Sequence, residues 1–202
     1  MKKLLLFTLA AFSAALLAVP PTGPLPTLKR PPRKVVIEAG KNAASLTADN
    51  TVIVLDPQAT PTARFAAAQL QEFLSQILGK KLPVSTHPGK GHNIYVGAGT
   101  FAKQNGVDVA KLPRDGFIIK TAGKDIIIAG RDDAKKDPRR ALKGGVWDQH
   151  YERATLFAVY DFLERFADAR FYFPGEMGTI VPHLAALSVP AEIDIFDSPD
   201  MR

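Results

Sequence analysis

Trp147, Asp148, His150, Tyr151 and Glu152 fall within six residues of one another. On an extended segment Asp148, His150 and Glu152 alternate onto one side, an arrangement that can ligate a metal. Their spacing matches no strong ligand signature, and His87, His92 and His183 are scattered, so no metal site is expected. The aromatic rings suit a different chemistry, because Trp and Tyr faces stack on the apolar faces of sugars. Trp147, His150, Tyr151 and Glu176 are therefore the candidate substrate-binding residues. Just upstream, Lys135, Lys136, Arg139, Arg140 and Lys143 are partly balanced by Asp132, Asp133 and Asp137. Such a cluster suits an anionic sugar or phosphate, or else is a solvated loop.

Catalytic chemistry is harder to place. Glycoside hydrolysis needs two carboxylates held ~5 to 9.5 Å apart on a rigid scaffold. Asp161, Glu164 and Glu176 are the nearest candidates, but an amphipathic helix presents such pairs to water routinely, and no catalytic residue is assigned. Val96-Gly97-Ala98-Gly99 has half of a dinucleotide fingerprint, without the third glycine in register, and reads as a tight turn. The sequence has no G-x-S-x-G elbow, so a serine-hydrolase reading has no support. Cysteine is absent from all 202 residues, which removes thiol nucleophiles, disulfides and thiolate metal sites together. No cofactor is expected.

The elements that must carry these residues follow from the hydrophobic pattern. Lys2 and Lys3 precede an apolar stretch from Leu4 to Ala18, shorter than the ~20 residues that span a bilayer. Residues 1–18 are expected to be a signal peptide and the chain to be exported, periplasmic or secreted. No later stretch is apolar enough for a membrane span. Without Lys2 and Lys3 the formal charge falls from +6 to +4, too small an excess to suggest a nucleic-acid partner. Residues 19–34 hold six prolines in sixteen positions, which excludes helix and predicts an extended linker.

Beyond the linker, Val35–Ile37 and Thr51–Leu55 are strand candidates. Thr60, Pro61 and Gly79 mark the two ends of a helix whose apolar face is Ala66, Leu70, Phe73, Leu74, Ile77 and Leu78. Strands follow at 82–85 and 94–96, with a short helix at 100–105. Phe117–Lys120 and Asp125–Ala129 form a hairpin. Residues 131–150 read as a long polar loop. A second helix covers 152–166, with Leu156, Val159, Tyr160, Leu163 and Phe166 as its main stripe and Phe157 and Phe162 widening it. Further strands are predicted at 171–173, 186–189 and 192–196. The expected fold is α+β, a two-layer sandwich with a mixed, mostly antiparallel sheet and two main helices packed on one face.

Several of these pieces, in this order, resemble one family. Asp115-Gly116-Phe117 opens the hairpin and Ile126-Ile127-Ile128-Ala129-Gly130 closes it. Residues 154–164 (ATLFAVYDFLE) come next, then residues 171–178 (FYFPGEMG), with Val181-Pro182 after them. Together with Val52–Leu55, Ala67-Ala68-Gln69-Leu70 and Ile94-Tyr95-Val96-Gly97, the set resembles the α-glucuronidase N-terminal domain. It is similar also to the domain preceding the barrel of β-N-acetylhexosaminidases. The resemblance covers residues 35–202 and implies a non-catalytic domain that packs on a glycoside-hydrolase barrel, with the catalytic carboxylates supplied by the barrel. Asp197-Ser198-Pro199-Asp200-Met201-Arg202 resembles the lead-in to that barrel, which is expected to lie outside this chain. The loop from Asp132 to His150 departs from the family in length and basicity. The implied partner is a barrel domain of the same or an adjacent polypeptide, with a polysaccharide or oligosaccharide as a further candidate. A free-standing secreted carbohydrate-binding or adhesion module is the alternative reading.

Overall fold

The computed structural model describes residues 33–38, 44–141, 143 and 150–198. The expected signal segment, most of the expected linker, Trp147 and Asp148 lie outside those residues. Lys34, at the end of the expected linker, is the first residue of β1 (Lys34–Glu38). The chain continues through β2 (Ala44–Leu46), β3 (Thr51–Leu55), α1 (Pro61–Ile77), β4 (Val84–Ser85) and β5 (His92–Val96). Next come α2 (Thr100–Gln104), β6 (Phe117–Ala122), β7 (Asp125–Gly130), α3 (Pro138–Ala141) and α4 (Ala154–Phe166). It closes with β8 (Arg170–Phe171), β9 (Thr179–Ile180), β10 (Leu187–Val189) and β11 (Glu192–Asp197).

Helix α1 forms where its terminal residues direct. The Thr60 hydroxyl accepts from the Ala63 amide at 3.0 Å, and Pro61 follows at a position that needs no donor. Gly79, at φ +69°, ends the helix in a conformation that a side chain would disfavour. The hairpin forms for a similar local reason. Ala122 pairs with Asp125, leaving a two-residue turn in which Gly123 adopts φ +62°.

Seven strands form one sheet in the order β1-β11-β6-β7-β5-β3-β4. The half built from β4, β3, β5 and β7 is parallel, and the half from β7 through β6 and β11 to β1 is antiparallel. The α1 crossover makes the parallel pairs possible, while the hairpin makes the antiparallel ones. Two short antiparallel pairs, β2–β10 and β8–β9, stand apart, so antiparallel pairings predominate overall. The architecture is α+β, with α1 and α4 side by side on one face.

Strand β7 lies at the junction of the halves, and all six of its residues are buried. Ile126 and Ile128 face the main core with Leu70, Leu74, Phe162 and Leu163. Ile127 and Ala129 face a second, smaller core with Ala102 and Val107. An unbroken apolar run is what a strand covered on both faces requires. The second cover, α2 with the segment after it, adds a partial layer to the expected two.

Helix α4 is turned relative to its expected stripe. Its buried residues are Ala154, Thr155, Ala158, Val159, Phe162 and Leu163. Phe162, expected only to widen the stripe, is at its centre, whereas Tyr160 and Leu156 are partly exposed. The difference arises because small Ala154 and Ala158 let the helix approach the sheet closely. A Cβ on Gly130 would lie 2.4 Å from the Ala154 carbonyl carbon, so β7 and α4 meet backbone to backbone.

Candidate functional site

Two regions carry the residues singled out by their chemistry. The first is the carboxyl end of the parallel strands, where open α/β sheets usually hold ligands. Gly99 stands before α2, as a phosphate-binding turn would require, but the helix starts here are occupied by the protein itself. The Asp56 carboxylate accepts from the Thr100 amide at 3.0 Å and the Thr100 hydroxyl at 3.1 Å. Its other oxygen accepts from the Gln58 amide at 2.9 Å. The Gln58 and Thr100 amides hold Asp56 below the usual carboxylate range. At α4, Asp132 accepts from the Thr155 amide at 2.9 Å and, through its second oxygen, from the Thr60 hydroxyl at 3.2 Å. Burial pushes the Asp132 carboxyl up to about 6 despite these bonds, and the charge of Glu152 adds to the shift. A phosphate would meet two carboxylates already in the places it needs. The glycines serve packing instead. A Cβ on Gly97 would sit 2.8 Å from Ala63 Cβ, and one on Gly99 would sit 2.8 Å from Asp56 Cβ.

The second region is the ribbon formed by β8 and β9, in which Arg170 pairs with Ile180 and Phe171 with Thr179. Three consecutive aromatics, Phe171, Tyr172 and Phe173, cannot all face inward on an alternating strand. Phe171 turns in, meeting Phe73 of α1 at 5.0 Å and Tyr160 of α4 at 4.8 Å between ring centroids. Phe73 and Tyr160 are 6.1 Å apart, and the three pairs are all edge-to-face at 62° to 87°. The Tyr160 hydroxyl donates to Gln69 Oε1 at 2.8 Å, and Gln69 Nε2 donates to Glu72 at 3.1 Å. Burial, then the charge of Glu72, raises the Tyr160 hydroxyl above its ordinary value.

Past Phe171 the chain leaves the strand. The Tyr172 amide donates to the Gly178 carbonyl at 2.8 Å, and the Thr179 hydroxyl donates to the Gly175 carbonyl at 3.0 Å. A Cβ on Gly178 would lie 2.0 Å from the Phe173 carbonyl oxygen. The loop therefore folds on itself and turns its side chains outward. Tyr172 is 68% exposed, Phe173 55%, Met177 92% and Ile180 53%. Beside them an open groove of about 940 Å³ runs over Phe73, Tyr160 and Phe171, with Glu72 and Glu176 among its lining residues. The other large exposed apolar residues among those described, Val35, Ile37 and Val84, lie on β1 and β4 at the two sheet edges.

The candidate binding residues separate accordingly. Glu176 lines the groove. Tyr151, expected to offer its ring to a sugar, is instead 6% exposed, with the Arg153 guanidinium 5.1 Å from the ring centroid. His150 is exposed one residue earlier, and Glu152 pairs with Arg131 at 2.8 Å. Trp147 lies outside the described residues. Asp161 pairs with Arg165 at 2.7 Å on α4. Sequence reasoning assigned Phe73 and Tyr160 to the core stripe and missed them as a groove floor. The triple aromatic at 171–173 was the available signal.

Residues 36–135 match the family model described as Glycosyl hydrolase family 67 N-terminus. The match covers just under half of the chain. The family 67 match includes the parallel half of the sheet, α1 and the hairpin, and it stops before α4 and the ribbon. The match supports a glycoside-hydrolase accessory domain over that segment. No curated protein sequence matches it. Among solved structures it is similar to a Streptomyces plicatus N-acetyl-beta-hexosaminidase in complex with Thio-NAglucal, with a TM-score of 0.46 and 17% identity. That similarity covers 81% of this chain and 25% of the other. The GH20 beta-N-acetylhexosaminidase of Streptomyces coelicolor A3(2) gives a TM-score of 0.44 at 15% identity, covering 79% of this chain and 24% of that one. A family GH115 4-O-methyl-alpha-glucuronidase with specificity for decorated arabinogalactans gives 0.41 at 15% identity, covering 71% and 17%. This chain spans about a quarter or less of the length of these structures. Among the described residues no helix is long and apolar enough to cross a membrane.

Proposed function

We propose that this accessory domain supports the catalytic barrel of an exported glycoside hydrolase, with the barrel supplied outside these 202 residues. The observation that carries the reading is the ribbon surface. Tyr172, Phe173, Met177 and Ile180 are four large apolar side chains exposed within nine residues, next to an aromatic groove. An exposed cluster of large apolar side chains is characteristic of a surface that another folded unit covers. Arg170 secures the ribbon to α4 by donating to the Glu164 carbonyl at 2.8 Å, and the Leu184 amide secures its far side by donating to the Ile77 carbonyl at 2.8 Å. A fixed ribbon suits docking better than a mobile one. The floor rings meet edge to face, which gives no flat platform for a sugar, so the binding-module reading draws less support from this groove.

The experiment joins the chain to the barrel encoded immediately downstream and compares it with a variant carrying Tyr172→Ser, Phe173→Ser and Met177→Ser. Docking predicts that the variant lowers the barrel's melting temperature and leaves the isolated domain's unchanged. An unchanged barrel, or the absence of a downstream barrel, rejects the proposal. Export through residues 1–18 is part of the same proposal. Amino-terminal sequencing of the protein from the extracytoplasmic fraction should begin near Val19, and an intact Met1 there rejects it.

A further inference from the structure

The start of α1 and the segment beside it form a surface of a different character. Residues 131–143 hold six cations and three carboxylates. All three carboxylates are turned to backbone donors. Asp132 accepts from the Thr155 amide at 2.9 Å, and Asp137 accepts from the Arg139 amide at 2.9 Å. Asp133 accepts from the Lys135 and Lys136 amides at 2.9 and 3.2 Å. Lys135, Arg139, Arg140 and Lys143 are exposed. These four cations face solvent, Arg131 pairs with Glu152, and the acids hold the turns.

Two arginines here are already oriented. The Arg139 guanidinium lies 5.4 Å from the centroid of the Phe65 ring on α1. The neighbouring Arg64 donates to the Pro57 carbonyl at 2.6 Å and to the Ala59 carbonyl at 3.1 Å. The first turn of α1 has no acidic residue, and its cap Thr60 donates to Asp132. An ordinary solvated cation must be ordered when a ligand arrives. A guanidinium held in advance loses less freedom and can present its planar fork to a carboxylate.

We infer that Arg64, Arg139 and Arg140, with the lysines flanking them, bind a carboxylated polysaccharide. The choice of a polysaccharide over another polyanion rests on the glycoside-hydrolase reading above; the surface itself does not depend on barrel docking. The full 202-residue chain is titrated with polygalacturonate, with its fully methyl-esterified form and with dextran sulfate. Binding to polygalacturonate that weakens with added salt, and none to the ester, is expected. The double variant Arg64→Gln, Arg139→Gln should bind about tenfold more weakly, as loss of charge-assisted contacts predicts. Arg140→Glu, at an exposed position, should weaken binding too and guards against misfolding of the double variant. Lys81→Gln, an exposed cation beyond the far end of α1, should change nothing. No binding to polygalacturonate, wild-type affinity in both arginine variants, or equal affinity for dextran sulfate each overturns the inference. None of these results bears on the barrel's melting temperature, so the two proposals fail separately.

Discussion

Two of the turns punctuated by glycine in this molecule do opposite things. After β5, Gly97 and Gly99 let the chain pass against Ala63 and Asp56, and every nearby helix start receives a side-chain acceptor. The turn joins sheet and helices, and the Thr100 amide at the start of α2 is taken by Asp56. Between β8 and β9, Gly175 takes φ +99° with nothing within 4 Å of a would-be Cβ, and Gly178 presses on its own ribbon. That turn folds back on itself and exposes apolar side chains. Glycine spacing alone does not separate the two. What separates them is whether the space a Cβ would fill belongs to another element or to solvent.

The contrast can be broken by measurement. Gly97→Val places a side chain at φ +92° and against Ala63, and should lower global stability by about 3 kcal/mol in urea unfolding. Gly178→Ala should disturb the ribbon with a much smaller global effect; equal losses would abolish the distinction. Next in size is Asp132. Its carboxyl is raised from 3.8 to about 6 in the fold, so its stabilising effect is complete below pH 3.8 and is lost as pH rises through 6. Asp132→Asn should flatten that limb and be more stable than wild type by about 2 kcal/mol at pH 7.5, with the two equal near pH 3. Parallel stability curves would show that the charge is not held against burial.

Asp56 has the opposite sign. Its carboxyl is lowered by the bonds it accepts, so its contribution is present above 3.8 and is lost as pH falls through the lower folded value. Asp56→Ala should cost about 1 kcal/mol at neutral pH, read as a lower melting temperature. A neutral outcome would remove the cap from the account of α2. The smallest effect is expected from Tyr172→Ser, Phe173→Ser and Met177→Ser in the isolated chain, within about 0.5 kcal/mol of wild type. A large loss would mean that these side chains stabilise the domain itself and are not a surface kept for a partner.

Much of the architecture was legible before any coordinates. Thr60, Pro61 and Gly79 bracket α1 within two residues of its observed limits, because capping and termination are local chemistry. The hairpin was readable from the strand pattern and its turn. The short strands β2 and β9 were missed, since two or three residues carry no period and form only against a distant partner. The face of α4 was misjudged because Ala154 and Ala158 are small enough to have little weight in a hydrophobic count, yet they set how closely the helix approaches.

The site divides in the same way. Glu176 and the aromatic run at 171–173 stood out in the sequence, but Tyr151 was read as a surface ring and is covered by Arg153. The sequence by itself determined the helices, the hairpin and the type of domain, because caps, turns and periodicity act over a few residues. Only the tertiary structure decided which apolar side chains face outward, that Asp56 and Asp132 fill the helix starts, and that Phe73, Tyr160 and Phe171 share one floor. Those outcomes depend on contacts between residues far apart in the chain, and no local pattern encodes which partner will arrive.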